Sequence, residues 1–136
     1  MAVRNLFVLD TSALLALRGD EPGANRVSTL LQQATRQQCR LLVSFMTRME
    51  VLYLIWRDEG QQAARDALRL LDSFAIEWVT CEAQILEAAA YVKSQGGLSV
   101  ADSWIAGTAF RHQATLIHKD PGFEKFNEIA QETLRQ

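Results

Sequence analysis

Leu6-Phe7-Val8-Leu9-Asp10-Thr11-Ser12-Ala13-Leu14-Leu15-Ala16-Leu17-Arg18 is the stretch that decides the fold. Four consecutive apolar residues read as a strand buried on both faces, and at Asp10 the chain turns into a helical stretch, Ser12 to Arg18. The same alternation continues outward from there. After a turn at Gly19 to Gly23, Asn25 to Gln38 is amphipathic, with Val27, Leu30, Leu31 and Ala34 on one side. Leu41 to Phe45 reads as a second strand, followed by helices over Thr47 to Arg57 and Gln61 to Phe74. Ile76 to Thr80 alternates as a third strand. A helix over Glu82 to Ser94 stops at Gly96-Gly97, and another runs from Ser99 to His112. Thr115 to His118 is a fourth strand, and Glu124 to Arg135 is expected to be helical. Strands alternating with long helices predict the α/β class: one domain over residues 1–136, with a mainly parallel sheet of about four to five strands covered on both faces.

Composition agrees with a single soluble domain. The chain has 136 residues, 49% hydrophobic and 22% charged, with 14 Lys plus Arg against 16 Asp plus Glu. A net charge of -2 excludes a protein that grips nucleic acid by a broad basic excess. A phosphate-bearing substrate would have to be held locally or through a cation. The two cysteines, Cys39 and Cys81, form no C-x-x-C pair and suit a reducing compartment. The apolar run before Asp10 is too short for a signal-peptide core, and the longest, Val51 to Trp56, falls far below the ~20 residues of a membrane span. The expectation is a cytoplasmic protein with no membrane association.

Twelve of the sixteen acids lie in turns or on polar helix faces. The other four each stand alone among apolar or small residues: Asp10 after the first strand, Glu50 before Val51 to Trp56, Asp102 in Leu98 to Gly107, and Asp120 after the fourth strand. Two end predicted strands, and two sit in the first turn of predicted helices. In a parallel sheet those positions share one edge, where α/β ligand sites lie. Each acid also fits a helix cap: Asp10 before Thr11, Thr47-Arg48-Met49-Glu50 and Ser99-Val100-Ala101-Asp102 as capping boxes, and Asp120-Pro121 as a cap with proline next. The two roles are compatible, because a helix N-terminus eases crowded negative charge.

Carboxylates gathered in one pocket repel unless they bind a cation or take up protons. An all-oxygen set without Cys or paired His favours Mg²⁺ or Mn²⁺ over zinc. Such a metal activates water and neutralises phosphoryl charge, so phosphate-ester hydrolysis is the reaction class that follows.

These same residues carry a family resemblance. Leu9-Asp10-Thr11-Ser12-Ala13-Leu14-Leu15-Ala16 resembles the opening motif of PIN-domain nucleases, especially the VapC-type toxins of toxin–antitoxin pairs. Leu98 to Ala109 resembles their third motif, and Ala114 to Asp120 followed by Phe123 their fourth. Glu50 matches the position of their second acid. The resemblance spans Val3 to about Phe126. It implies a Mg²⁺- or Mn²⁺-dependent endoribonuclease in which Asp10, Glu50, Asp102 and Asp120 are the catalytic acids. Asp10, Asp102 and Asp120 would bind the metal, and Ser12 would support them. It also implies an RNA substrate, a homodimer and a small cognate antitoxin. Two positions depart from the family: His118 stands where Thr or Ser is common, and Gly122 where a further acid is common.

Other readings compete. A haloacid-dehalogenase-type phosphohydrolase needs a second Asp where Ser12 stands. A metal-free ribonuclease could use His112, His118 and Lys119 as acid, base and phosphate clamp. A stand-alone nuclease of the same family needs no antitoxin. A non-catalytic module could use Val51 to Trp56 and the Leu14-Leu15-Leu17 stripe as a partner groove or dimer surface.

Overall fold

The computed structural model describes residues 2–135. Five strands form one parallel sheet in the order β3-β2-β1-β4-β5: β1 Leu6–Leu9, β2 Arg40–Ser44, β3 Glu77–Val79, β4 Thr115–His118 and β5 Gln131–Thr133. Six helices connect them: α1 Thr11–Arg18, α2 Ala24–Thr35, α3 Phe45–Glu59, α4 Gln61–Asp72, α5 Ala83–Ser94 and α6 Val100–His112. The predicted α/β class, the parallel sheet and its strand count all hold.

Strand alternation splits the core into two halves. Leu9, Leu41, Val43 and Ile117 face one side, with Leu14 of α1, Val27 and Leu30 of α2, Val51 and Ile55 of α3 and Leu71 of α4. Leu6, Val8, Leu42 and Leu116 face the other, with Val92 of α5, Ile105 and Ala109 of α6, and Phe123 and Phe126. Leu9, Val8, Leu41 and Leu116 are fully buried, as an apolar run in a doubly covered sheet demands. Among the described residues no helix is long and apolar enough to cross a membrane.

Topology fixes where a ligand can sit. From β1 the chain steps to β2 and β3 on one side and returns to β4 and β5 on the other. The order reverses at β1, and the crevice beyond the carboxyl ends of β1 and β4 is where such a sheet opens.

One predicted element is wrong. Glu124 to Arg135 is not a helix: Pro121–Lys125 is a 3-10 turn and Gln131–Thr133 adds the edge strand β5. The charges in this segment mimic helical spacing, but long-range ties prevail. The Gln131 amide donates to the carbonyls of Phe123 and Phe126 at 3.0 and 2.7 Å, and its Oε1 accepts from His118 Nε2 at 2.8 Å. Leu134 is buried beside Gly23, whose φ of +99° and lack of a side chain make room for it.

α5 and α6 cross at Gly107, where an added Cβ would stand 2.7 Å from the backbone N and Cα of Ala89. Gly107→Ala should therefore force the two helices apart and destabilise the protein by about 3 kcal/mol. A urea melt checks this: a lowered midpoint is expected, and an unchanged one would mean the crossing yields freely.

Candidate active site

Asp10 is the residue at which β1 becomes α1. Its backbone stays extended, and its Oδ2 accepts from the backbone N–H of Ser12 at 3.0 Å and from the Ser12 hydroxyl. The helix cap predicted for it is real. The side chain lies at only 4% exposure, and its carboxyl is pushed up from 3.8 to about 7. Burial is the main cause, with the Asp102 charge adding to it and the Ser12 hydrogen bonds opposing it.

Asp102 stands in the first turn of α6. Ser99 caps that helix, accepting from the Asp102 backbone N–H at 3.1 Å. The backbone half of the predicted capping box is thus formed, and the Ser99 hydroxyl also acts on the Asp102 carboxyl, opposing the rise in its pKa. Its pKa is raised, first by burial and then by the charges of Asp120 and Glu50. The charges of Asp120 and Glu50 thus act on Asp102, and that of Asp102 acts on Asp10.

Asp120 follows β4 and caps the 3-10 turn, its Oδ1 accepting from Gly122 N–H at 2.8 Å. Glycine at 122 suits this tight turn, since a Cβ there would stand 3.0 Å from Asp120 Oδ1.

Glu50 arrives differently from the prediction. Ser44 caps α3, which begins at Phe45, so Glu50 lies in the second turn and Thr47 caps nothing. Instead Thr47 and Thr11 are both buried, and Thr11 Oγ1 donates to Glu50 Oε1 at 2.7 Å. Thr11 and Thr47, uncharged and so inconspicuous in the sequence, are the residues that the structure brings to Glu50. The one sequence signal for Thr47 is its S/T-x-x-E spacing to Glu50, which equally fits a capping box.

Ser12 lies between two elements. Its Oγ donates to Asp10 and accepts from the backbone N–H of Lys119 at 2.9 Å, joining the α1 start to the end of β4.

Among the described residues, seven ion pairs engage surface acids such as Glu59, Asp72, Glu77 and Glu132, and none involves Asp10, Glu50, Asp102 or Asp120. Among the described residues, then, no ion pair balances the charge of these four acids. No three His, Cys, Asp or Glu side chains among the described residues form a ready-made metal cage. Asp10, Glu50 and Asp120 are instead each turned to a local hydrogen bond. The donor chemistry nonetheless fits a hard divalent cation: the donors are all oxygen, and a cation would favour the ionised Asp10 carboxylate that burial and the Asp102 charge disfavour.

The metal-free histidine arrangement is not assembled. His118 is fully buried with Nε2 bound to Gln131, and Lys119 Nζ pairs with Glu21 at 3.2 Å. His112 lies at the far end of α6, where burial, Arg111 and Arg40 lower its pKa.

Known proteins bear on this geometry. The chain superposes on VapBC2 from Rickettsia felis bound to a DNA fragment from its promoter, with TM-score 0.78 and 16% identity over 95% of this chain and 98% of the other. VapBC-1 from nontypeable Haemophilus influenzae gives 0.72 and 25% over 94% and 97%. VapC20 from Mycobacterium tuberculosis, a toxin that cleaves the sarcin–ricin loop, gives 0.63 and 19% over 87% and 92%. No protein of curated function matches the sequence. The PIN domain model, however, matches residues 7–129, nearly the whole chain, so the protein belongs to the PIN-domain family.

Proposed function

We propose that the protein is a Mg²⁺- or Mn²⁺-dependent endoribonuclease, the toxin of a toxin–antitoxin pair acting in the cytoplasm. The observation that carries this reading is the group of coupled carboxylates at the sheet switch point, with Asp10 buried, its pKa near 7, and no cationic partner among the described residues. Asp10, Asp102 and Asp120 would hold the metal. Bound there, the ion would neutralise phosphoryl charge and acidify a water molecule.

The chain's own groups do the rest. Asp10 would hold the ion in its ionised form, giving up the proton that burial otherwise favours. Glu50 Oε2, which has no hydrogen-bond partner among the described residues, takes a proton from the water that attacks phosphorus. The P–O bond to one nucleoside breaks, and its oxygen leaves as a hydroxyl after protonation by solvent. Ser12 fixes Asp10 against the Lys119 backbone, so the β1 and β4 acids keep their spacing.

A partner surface supports the toxin reading. Leu14, Leu15, Leu17, Val51, Leu70 and Phe74 line a groove of about 290 Å³ between α1, α3 and α4, and Leu70 is exposed. Such a groove suits the apolar face of an antitoxin helix. The homodimer is part of the same proposal. Met49, Tyr53 and Trp56, exposed along one face of α3, offer apolar area to it.

Product ends test the chemistry. Water attack leaves a linear phosphate on one fragment and a hydroxyl on the other. Attack by the ribose 2′-hydroxyl, as in metal-free ribonucleases, leaves a 2′,3′-cyclic phosphate. Linear ends on a purified RNA substrate are expected, and cyclic ends would overturn the proposal.

A further inference from the structure

Thr47 and Thr11 form a chain of hydroxyls that ends on Glu50. Thr11 Oγ1 lies 2.7 Å from Glu50 Oε1 and 3.0 Å from Thr47 Oγ1. Thr11 has one hydroxyl proton, and a carboxylate can only accept. The proton of Thr11 therefore goes to Glu50, and Thr11 Oγ1 accepts from the Thr47 hydroxyl. Thr47 is fully buried and Thr11 nearly so, so neither hydroxyl can turn to bulk water.

The chain joins two elements. Thr11 opens α1 directly after Asp10, whereas Thr47 and Glu50 lie one turn apart on α3. α3 is otherwise held to the sheet by apolar contacts of Val51 and Ile55, which do not set a carboxylate's rotation. A buried, oriented donor does, at a long and flexible side chain that would otherwise sample several rotamers.

We propose that Thr47 and Thr11 are positioning residues: in series, they lock the Glu50 carboxylate so that Oε1 is committed and Oε2 is presented to the crevice. This rests on the reading of Glu50 as the proton acceptor. The series order has a consequence that independent hydrogen bonds would not share. Removing Thr11 already disconnects Thr47, so removing both costs no more activity than removing Thr11 alone.

Stability and activity should also part company. Thr11→Val leaves the buried Thr47 hydroxyl without a partner, which is costly, whereas the double replacement removes both polar groups together. The test measures kcat, KM, melting temperature and Mn²⁺ affinity for Thr11→Val, Thr47→Val, Thr47→Ser and the double Val variant, with Glu50→Gln and Asp10→Asn alongside. The expected loss is about tenfold in kcat for Thr47→Val, and up to about a hundredfold for Thr11→Val, at little-changed KM. Thr47→Ser should restore the parent rate. The double variant should melt higher than Thr11→Val yet cleave no faster, and Mn²⁺ affinity should change little in Thr47→Val.

Parental kcat in Thr47→Val, with Glu50→Gln inactive, overturns the relay and leaves the site intact. Additive losses in the double variant overturn the series order, and a melting temperature that tracks activity across the set overturns the positioning role. Parental activity in Glu50→Gln, with Asp10→Asn inactive, overturns the Glu50 role on which the relay depends.

Discussion

Asp10→Asn is expected to lose RNA cleavage by at least a factor of about a hundred while making the metal-free protein more stable. Loss of activity follows from the site: supporting groups around a metal typically contribute ten- to a hundredfold, and a direct ligand contributes more. The gain in stability follows from burial. The Asp10 carboxyl is held near 7 in the folded chain against 3.8 ordinarily, about three pH units. At pH 8 the ionised side chain therefore costs the fold up to about 4 kcal/mol, at roughly 1.4 kcal/mol per unit. That is a large share of the ~5–15 kcal/mol that separates folded from unfolded domains. Asn caps a helix as well as Asp does and can still accept from Ser12 N–H, so the substitution removes the charge and keeps the bond. A calorimetric melt without metal reads the gain. A lower melting temperature than the parent would assign Asp10 to the structure of the α1 cap.

The second large effect is a pH dependence with a definite sign. Asp10 has a folded pKa raised above its unfolded value, so its contribution is fully present below 3.8 and is lost as pH rises through about 7. Over that window the folded state keeps a proton that the unfolded state has released. Unfolding free energy therefore falls by up to about 1.4 kcal/mol per pH unit from this group alone. Asp102, also raised, acts in the same direction. Comparing the parent with Asp10→Asn isolates the effect, since both share every surface carboxylate. A divalent cation should reverse it by binding the ionised form. The rise in melting temperature on adding Mn²⁺ should be small at pH 5.5, grow through pH 7 and vanish in Asp10→Asn. An equal rise at pH 5.5 and pH 8 would mean the ion binds elsewhere.

Much of this was legible in the sequence because the informative residues are locally surprising. Leu6 to Leu9 could only be a doubly buried strand, and Asp10, Asp102 and Asp120 stood out as single charges in apolar surroundings. Parallel topology then leads one to expect them at one edge. Reading failed where long-range contacts overrule local pattern. Gln131 becomes part of a strand because His118 and two carbonyls of the preceding turn claim its amide, and nothing within Glu124 to Arg135 announces that. Thr47 failed in the opposite way. Its spacing to Glu50 matched a capping box, but Ser44 already caps the helix, and the true partner is 36 residues away at Thr11. The -2 charge proved uninformative about substrate for a related reason. Seven of the 14 bases are committed to surface acids, so the total says little about the crevice.

Cleavage of RNA by the purified protein after thorough chelation, and again after Mg²⁺ or Mn²⁺ is returned, tests the central claim most directly when Asp102→Asn is run beside it. The carboxylate site predicts no cleavage in chelator, recovery with the metal, and none at any metal concentration near physiological in Asp102→Asn, which should fold at least as stably as the parent without metal. Cleavage that persists in chelator, or an Asp102→Asn protein that cuts at the parental rate, would contradict it.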